Sequence, residues 1–204
     1  MTAATHRMIL LKRWGHFLVA TLFYVAIYFP LSRHVMGQHT PWLPVFQWET
    51  QLELLPSAIY AYLLVYVVVQ IPLYVISPHE PALFNQYTRR FYLLTLIHFI
   101  FFLALPSAIE RPTLPHTDGV TMAVLRFYYD LDPPRCIFPS LHVTYGLIAT
   151  LILWNHRRGW ALVCAAMTFA ISVAVLLVKQ HFAIDVVAAY LVTGLIWGLW
   201  PRKW

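Results

Sequence analysis

The chain has 204 residues, of which 60% are hydrophobic, 16% aromatic and only 11% charged, with a mean hydropathy of +0.66. Soluble domains carry about 25% charged residues, so a water-soluble globule is excluded. So is a disordered chain, which is poor in apolar residues and rich in charge. The composition predicts an all-α integral membrane bundle. Its net charge of +6 reads first as a mark of orientation, because Lys and Arg gather in cytoplasmic loops.

A helix needs about 17–25 largely apolar residues to cross a bilayer, and in lipid each crossing segment must be helical. Six stretches qualify in chain order: 14–31, 54–76, 91–109, 138–154, 160–178 and 182–200. The first follows a basic preamble, Arg7, Lys12 and Arg13. It is long and lacks a small-residue cleavage pattern, so it is expected to be a retained helix and not a signal peptide. The connection 36–53 is rich in Trp and Pro and is expected on the membrane surface. Pro30, Pro56, Pro72 and Pro106 fall near span ends or at expected kinks. The longest connection, 110–137, is punctuated by Pro112, Pro115, Gly119, Pro133 and Pro134. Within it, 119–131 has room for a short interfacial helix.

With the N-terminus inside, cytoplasmic segments hold nine of the fourteen cations: Arg7, Lys12, Arg13, Arg89, Arg90, Arg157, Arg158, Arg202 and Lys203. The outer segments hold Arg33, Arg111, Arg126, Arg135 and Lys179. This asymmetry predicts six transmembrane helices with both termini cytoplasmic. Trp14, Trp154, Trp160, Trp200 and Trp204 then form an inner aromatic belt. No internal repeat appears, and residues 1–204 read as a single transmembrane domain. Cys136 and Cys164 make neither a disulfide framework nor a zinc site, and no bridge between them is expected.

Ionisable groups at membrane spans are functional candidates by default. Two segments stand out, both at the outer boundary of this topology. One is Arg135-Cys136-Ile137-Phe138-Pro139-Ser140-Leu141-His142. The other is Lys179-Gln180-His181-Phe182-Ala183-Ile184-Asp185. His181 and Asp185 are i and i+4, on one helical face. A carboxylate there fixes one imidazole nitrogen and frees the other as a nucleophile. Pro139 and Ser140 open a helix whose N-terminus suits an anion, and His142 one turn inside can exchange a proton. Arg135 and Lys179 supply positive charge. This set suits phosphoryl transfer. A proton relay in a transporter is the alternative reading of the His181–Asp185 pair.

These motifs resemble the type-2 phosphatidic acid phosphatase superfamily. Pro139-Ser140-Leu141-His142 is similar to its Pro-Ser-Gly-His motif, with Leu141 in place of glycine, and His181 with Asp185 is similar to its His-x-x-x-Asp motif. Within the superfamily, Phe-Pro-Ser-Leu-His and Gln-His-Phe-x-x-Asp look closest to the branch of inositol phosphorylceramide synthases. The resemblance implies His181 as the nucleophile of a phosphohistidine, Asp185 as its orienting partner and His142 as general acid. It implies Ser140 in phosphate binding, with Arg135, Lys179 and Arg111 as phosphate-binding cations. Arg111-Pro112 matches the Arg-Pro of a third motif, but Ala104 and Val175 stand where the pattern has a Lys and an Arg. Fewer cations suit a phosphodiester better than a dianionic monoester.

The expected function is transfer of a phosphate-containing group from a membrane phospholipid to a lipid hydroxyl or water, on the extracytoplasmic (periplasmic or lumenal) face. No metal, other cofactor or nucleic acid is expected, and the oligomeric state is left open. A lipid-phosphate phosphohydrolase acting on phosphatidate or a polyprenyl diphosphate is the alternative within enzymes, and a catalytically inactive binding protein is a third reading. The other histidines, His34, His39, His79, His98, His116 and His156, lack metal-ligand spacing and read as solvent or interface groups. Glu110, Asp130 and Asp132 read as solvating the outer loop. Gly194-x-x-x-Gly198 reads as close packing inside the bundle, with a dimer face as the alternative.

Overall fold

Ten α-helices carry the described part of the computed structural model, which covers residues 3–36, 45–114 and 119–199. They are α1 (Ala3–Met36), α2 (Gln47–Thr50), α3 (Ile59–Tyr62), α4 (Leu64–Val68), α5 (Ile71–Val75), α6 (Pro81–Ala104), α7 (Val120–Leu131), α8 (Leu141–Leu153), α9 (Arg158–Leu177) and α10 (Ala183–Leu199). No strand occurs among the described residues. His39, Pro115, His116, Asp118, Trp200, Arg202, Lys203 and Trp204 lie outside them.

Three helical stretches, Arg7–Val35, Pro56–Val75 and Arg158–Leu177, are long and apolar enough to cross a membrane. The helices Leu141–Leu153 and Ala183–Leu199 are apolar but shorter. Large apolar side chains cover the outside, among them Leu18, Leu22, Leu103, Phe169, Leu191 and Leu195. Such a surface is stable against lipid and not against water. Cys136 and Cys164 are both buried and unbridged.

The second expected span is broken. A 3-10 turn, Pro56–Ala58, leads into α3, α4 and α5 in succession. Pro72 has no N–H for the helical ladder. Around it, Leu73 N–H turns to the Gln70 carbonyl, one residue short of the α-helical partner Val69. The Val69 carbonyl so freed accepts the Tyr87 hydroxyl at 2.5 Å. A side chain thus satisfies a backbone group that lipid cannot. The third expected span begins earlier than its hydropathy suggested, at Pro81. Its polar first turns are accommodated because Arg90 is buried with its guanidinium 4.3 Å from the Trp197 ring centroid.

At the end of the bundle where α5 finishes, Arg13 donates to the carbonyls of Leu73 (3.0 Å), Ile76 and Ser77 (2.9 Å). Arg157 pairs with Glu80 at 2.7 Å. Helices α8 and α9 pack closely because Gly146 has no side chain. A Cβ there would collide with Thr168, whose Oγ1 and two carbons lie against it. Gly194 and Gly198 behave otherwise: both are exposed with open space beside them, so they do not pack inside the bundle. The 119–131 helix is present as α7.

His98 corrects a sequence expectation. It is fully buried, not at solvent. Its Nδ1–H donates to the Leu94 carbonyl (2.7 Å), so its Nε2 accepts from the Thr144 hydroxyl (3.0 Å). Thr193 in turn donates to Thr144 Oγ1 at 3.3 Å. This directional chain ties α6, α8 and α10 together one turn below the start of α8.

Candidate active site

The start of α8 is held by a segment distant in sequence. Ser107 Oγ accepts the N–H groups of Ile137 (3.2 Å) and Phe138 (3.1 Å), and Ser107 O accepts that of Cys136 (3.0 Å). Ala108 and Arg135 form an antiparallel bridge. This fixes the path into Ser140, whose own N–H donates to the Asp185 carbonyl at 3.0 Å. One backbone hydrogen bond thereby joins the two motif segments.

The second segment is a helix end. Gln180 N–H bonds to Val175 O at 2.9 Å and Lys179 N–H to Leu176 O at 3.2 Å. This is the paired closure of a Schellman motif, which needs a left-handed residue after the helix. Lys179 occupies it, at φ 53°. Asp185 Oδ2 then accepts Phe182 N–H at 2.8 Å and faces His181 Nδ1 at 3.3 Å. Glu49 Oε1 accepts Ala183 N–H, capping α10, while its Oε2 accepts Phe46 N–H at 2.8 Å.

These constraints bring His142 and His181 together. His142 Nδ1 lies 3.2 Å from His181 Nε2, and His142 Nε2 lies 2.8 Å from the Tyr62 hydroxyl. Asp185 Oδ2 already acts as an acceptor toward Phe182 N–H, so His181 turns its Nδ1–H to the same oxygen. His181 Nε2 is then bare and accepts from His142 Nδ1–H, and His142 Nε2 accepts from Tyr62. The network assigns both tautomers. Burial pushes His181 down to about 4, countered in part by Asp132 and the Ile137 backbone, and reinforced by Arg111. Its imidazole is neutral at pH 7.

The two histidines line a narrow recess with Tyr24, Tyr28, Asp132, Arg135 and Gln180. Four buried polar atoms around this site have no partner: Ser140 Oγ, Gln180 Nε2, Arg111 Nε and Asp185 Oδ1. Three of them are donors, the complement of an oxyanion. An apolar chamber of about 240 Å³ adjoins the recess and shares Tyr24, Leu141 and His142 with it. It runs between α1, α4, α6 and α8 as far as His16.

The cations expected at phosphate take different places. Arg135 lines the recess, and its guanidinium makes no hydrogen bond to a described residue. Arg111 donates to Tyr129 O (3.1 Å), Asp132 O (2.7 Å) and Gln180 Oε1, with its guanidinium over the Tyr129 ring. Lys179 Nζ donates to Leu52 O at 2.6 Å and Glu49 O at 3.5 Å, and it does not line the recess. Asp132 was expected to solvate the loop. It lines the recess instead and accepts the Tyr28 hydroxyl at 2.5 Å. Among the described residues no three His, Cys, Asp or Glu are grouped to hold a metal ion.

Sequence reasoning passed over Tyr62, Ser107, Glu49 and the amide of Gln180. Each lies far in sequence from its partner or outside any charged pattern. Only Gln180 gave a signal, by standing beside His181.

A family model described as the PAP2 superfamily matches residues 28–199. No curated protein and no solved structure matches the chain. The match covers most of the sequence, including both histidine segments, and the chain belongs to the PAP2 superfamily, whose members are phosphatase-type enzymes. The match does not choose a branch within it.

Proposed function

We propose that this chain transfers a phosphate-containing group from a membrane phospholipid, through a phosphohistidine at His181, to a lipid hydroxyl or to water. The observation that carries the reading is the hydrogen-bonded run Tyr62–His142–His181–Asp185, whose two histidines line a recess together with Arg135 and Gln180. The adjoining apolar chamber fits a hydrocarbon chain of the substrate.

In the first half-reaction the His181 Nε2 lone pair attacks phosphorus. The bond between phosphorus and the leaving alcohol oxygen breaks. His142 gives its Nδ1 proton to that oxygen, and Asp185 stabilises the positive charge growing on His181. Ser140, Gln180, Arg135 and Arg111 hold the phosphoryl oxygens. In the second half, the acceptor hydroxyl loses its proton to His142 and attacks phosphorus. The P–N bond breaks and returns its electron pair to Nε2. Lys179 serves here as a clasp on the 46–52 segment.

The topology belongs to the same proposal. Six helices cross the membrane with both termini cytoplasmic, and the histidines face the extracytoplasmic side. Arg13, Glu80 and Arg157, gathered at the opposite end, support this orientation.

The test is incubation of the purified protein with labelled phospholipids, with and without a lipid alcohol, followed by product identification and a search for acid-labile phosphoprotein. Wild type should form it and His181→Ala should not. Product without acid-labile phosphate would overturn the covalent mechanism. Family membership also supports a phosphohydrolase, and phosphate release that ignores the acceptor lipid would select it.

A further inference from the structure

One face of α1 runs from the end of the bundle held by Arg13 to the histidines. His16, Ala20 and Tyr24 stand four residues apart on it, and all three line the apolar chamber. Tyr24 lies roughly 12 Å along the helix axis from His16. It lines the recess as well as the chamber, a position shared among the described residues by Leu141 and His142. Leu141 has no polar side-chain atom, and His142 is engaged at both nitrogens, by His181 and Tyr62. The Tyr24 ring stacks on Tyr28 with centroids 4.9 Å apart, while its hydroxyl makes no hydrogen bond to a described residue. Other hydroxyls on the chamber wall are satisfied by backbone. Thr21 donates to Phe17 O (2.9 Å), Tyr87 to Val69 O (2.5 Å) and Thr88 to Asn85 O (3.1 Å). The Tyr24 hydroxyl is therefore a donor left for a ligand at the junction of polar recess and apolar chamber.

A phospholipid with its phosphate in the recess and a chain in the chamber has its linkage between the two. There an acyl ester presents a carbonyl oxygen, and an alkyl ether presents only a weak acceptor. A carbonyl taken out of water costs free energy unless a donor meets it. We propose that Tyr24 is a specificity-determining residue: its hydroxyl donates a hydrogen bond to the ester carbonyl of the bound lipid, whose chain runs past Ala20 towards His16. The assignment rests on the phosphoryl-transfer reading for the place of the phosphate and adds the residue that reads the linkage. Ala20 is the smallest side chain on the chamber wall, so added bulk there shortens the space for the chain.

The experiment compares kcat/KM for the diacyl and dialkyl-ether forms of phosphatidylglycerol and of phosphatidate. Wild type should favour the ester form about fivefold to tenfold. Tyr24→Phe, which keeps the ring stacked on Tyr28, should lose that preference. Its kcat/KM should fall on the ester and stay within about twofold on the ether, with the melting temperature close to wild type. An equal loss on both forms, or no loss on the ester, overturns the proposal. Ala20→Phe follows the chain: kcat/KM should fall about tenfold for a dioleoyl lipid and less than about twofold for a dioctanoyl lipid. An equal loss on the two overturns the path along α1. A further readout does not depend on turnover: thermal stabilisation of the full chain by lysophosphatidate, an acyl ester, against the alkyl ether of glycerol phosphate with the same chain. Wild type should favour the ester, and Tyr24→Phe should respond equally to both. If no lipid is turned over, the transfer reading falls, and this binding comparison still decides the role of Tyr24.

Discussion

The two ends of the helical bundle treat polar groups in opposite ways. At one end Arg13 places its N–H groups on three carbonyls where α5 finishes, and Arg157 closes on Glu80. At the other end Ser140, Gln180, Arg111 and Asp185 each leave a buried polar atom unpaired. Arg13 and Tyr28 stand on one helix, roughly 22 Å apart along its axis, so both ends belong to one packed unit. An unpaired buried polar atom costs about 1–3 kcal/mol. The proposed phosphate-bearing substrate would supply partners for the unpaired atoms at the histidine end.

That contrast is open to breakage. His181→Ala should lower turnover by at least about 10³-fold, with its melting temperature close to wild type. Measured turnover within tenfold of wild type would remove the histidine end from the chemistry. Next in size is the pH dependence. Protonation at Nε2 removes the attacking lone pair, so the limb of kcat/KM that His181 sets should lie near pH 4, falling tenfold per unit below it. A limb at 6.5, the ordinary histidine value, would mean that water reaches His181 freely.

At the closed end the expected effects are on stability. Arg13→Met leaves three carbonyls without their donor and should destabilise the fold by about 2–4 kcal/mol. Thermal unfolding in detergent measures it, with activity per folded molecule unchanged. The smallest effect concerns Lys179. Glycine relieves its left-handed φ by up to about 1 kcal/mol, while the bonds to the Leu52 and Glu49 carbonyls are lost. Lys179→Gly should therefore move stability by less than about 1 kcal/mol and activity by less than about threefold. A loss beyond tenfold would make Lys179 a phosphate ligand after all.

Local features were legible in the sequence and distant ones were not. Apolar length found the Arg158–Leu177 helix within about two residues of its bounds. It also found the start of α10, because each signal lies inside one element. Hydropathy misjudged the start of α6, where Arg90 is buried by contact with a different helix. It also missed the breaks between α3, α4 and α5, where Tyr87 supplies the absent backbone partner. Asp132 was read as a solvated loop charge because nothing local to it marks the recess it joins.

By itself the sequence determined a helical membrane protein and singled out His181 with Asp185, but the shared helix face it expected is absent: His181 stands in the turn before α10 and meets Asp185 across that turn. It also singled out the Ser140–His142 turn through its motif. Only the tertiary structure decided which groups meet across the chain. It set His142 against His181, Tyr62 against His142, Glu49 over the start of α10, and Asp132 beside Arg135. Such contacts depend on how helices pack and where their breaks fall, and packing is a property of the whole bundle that no local spacing encodes.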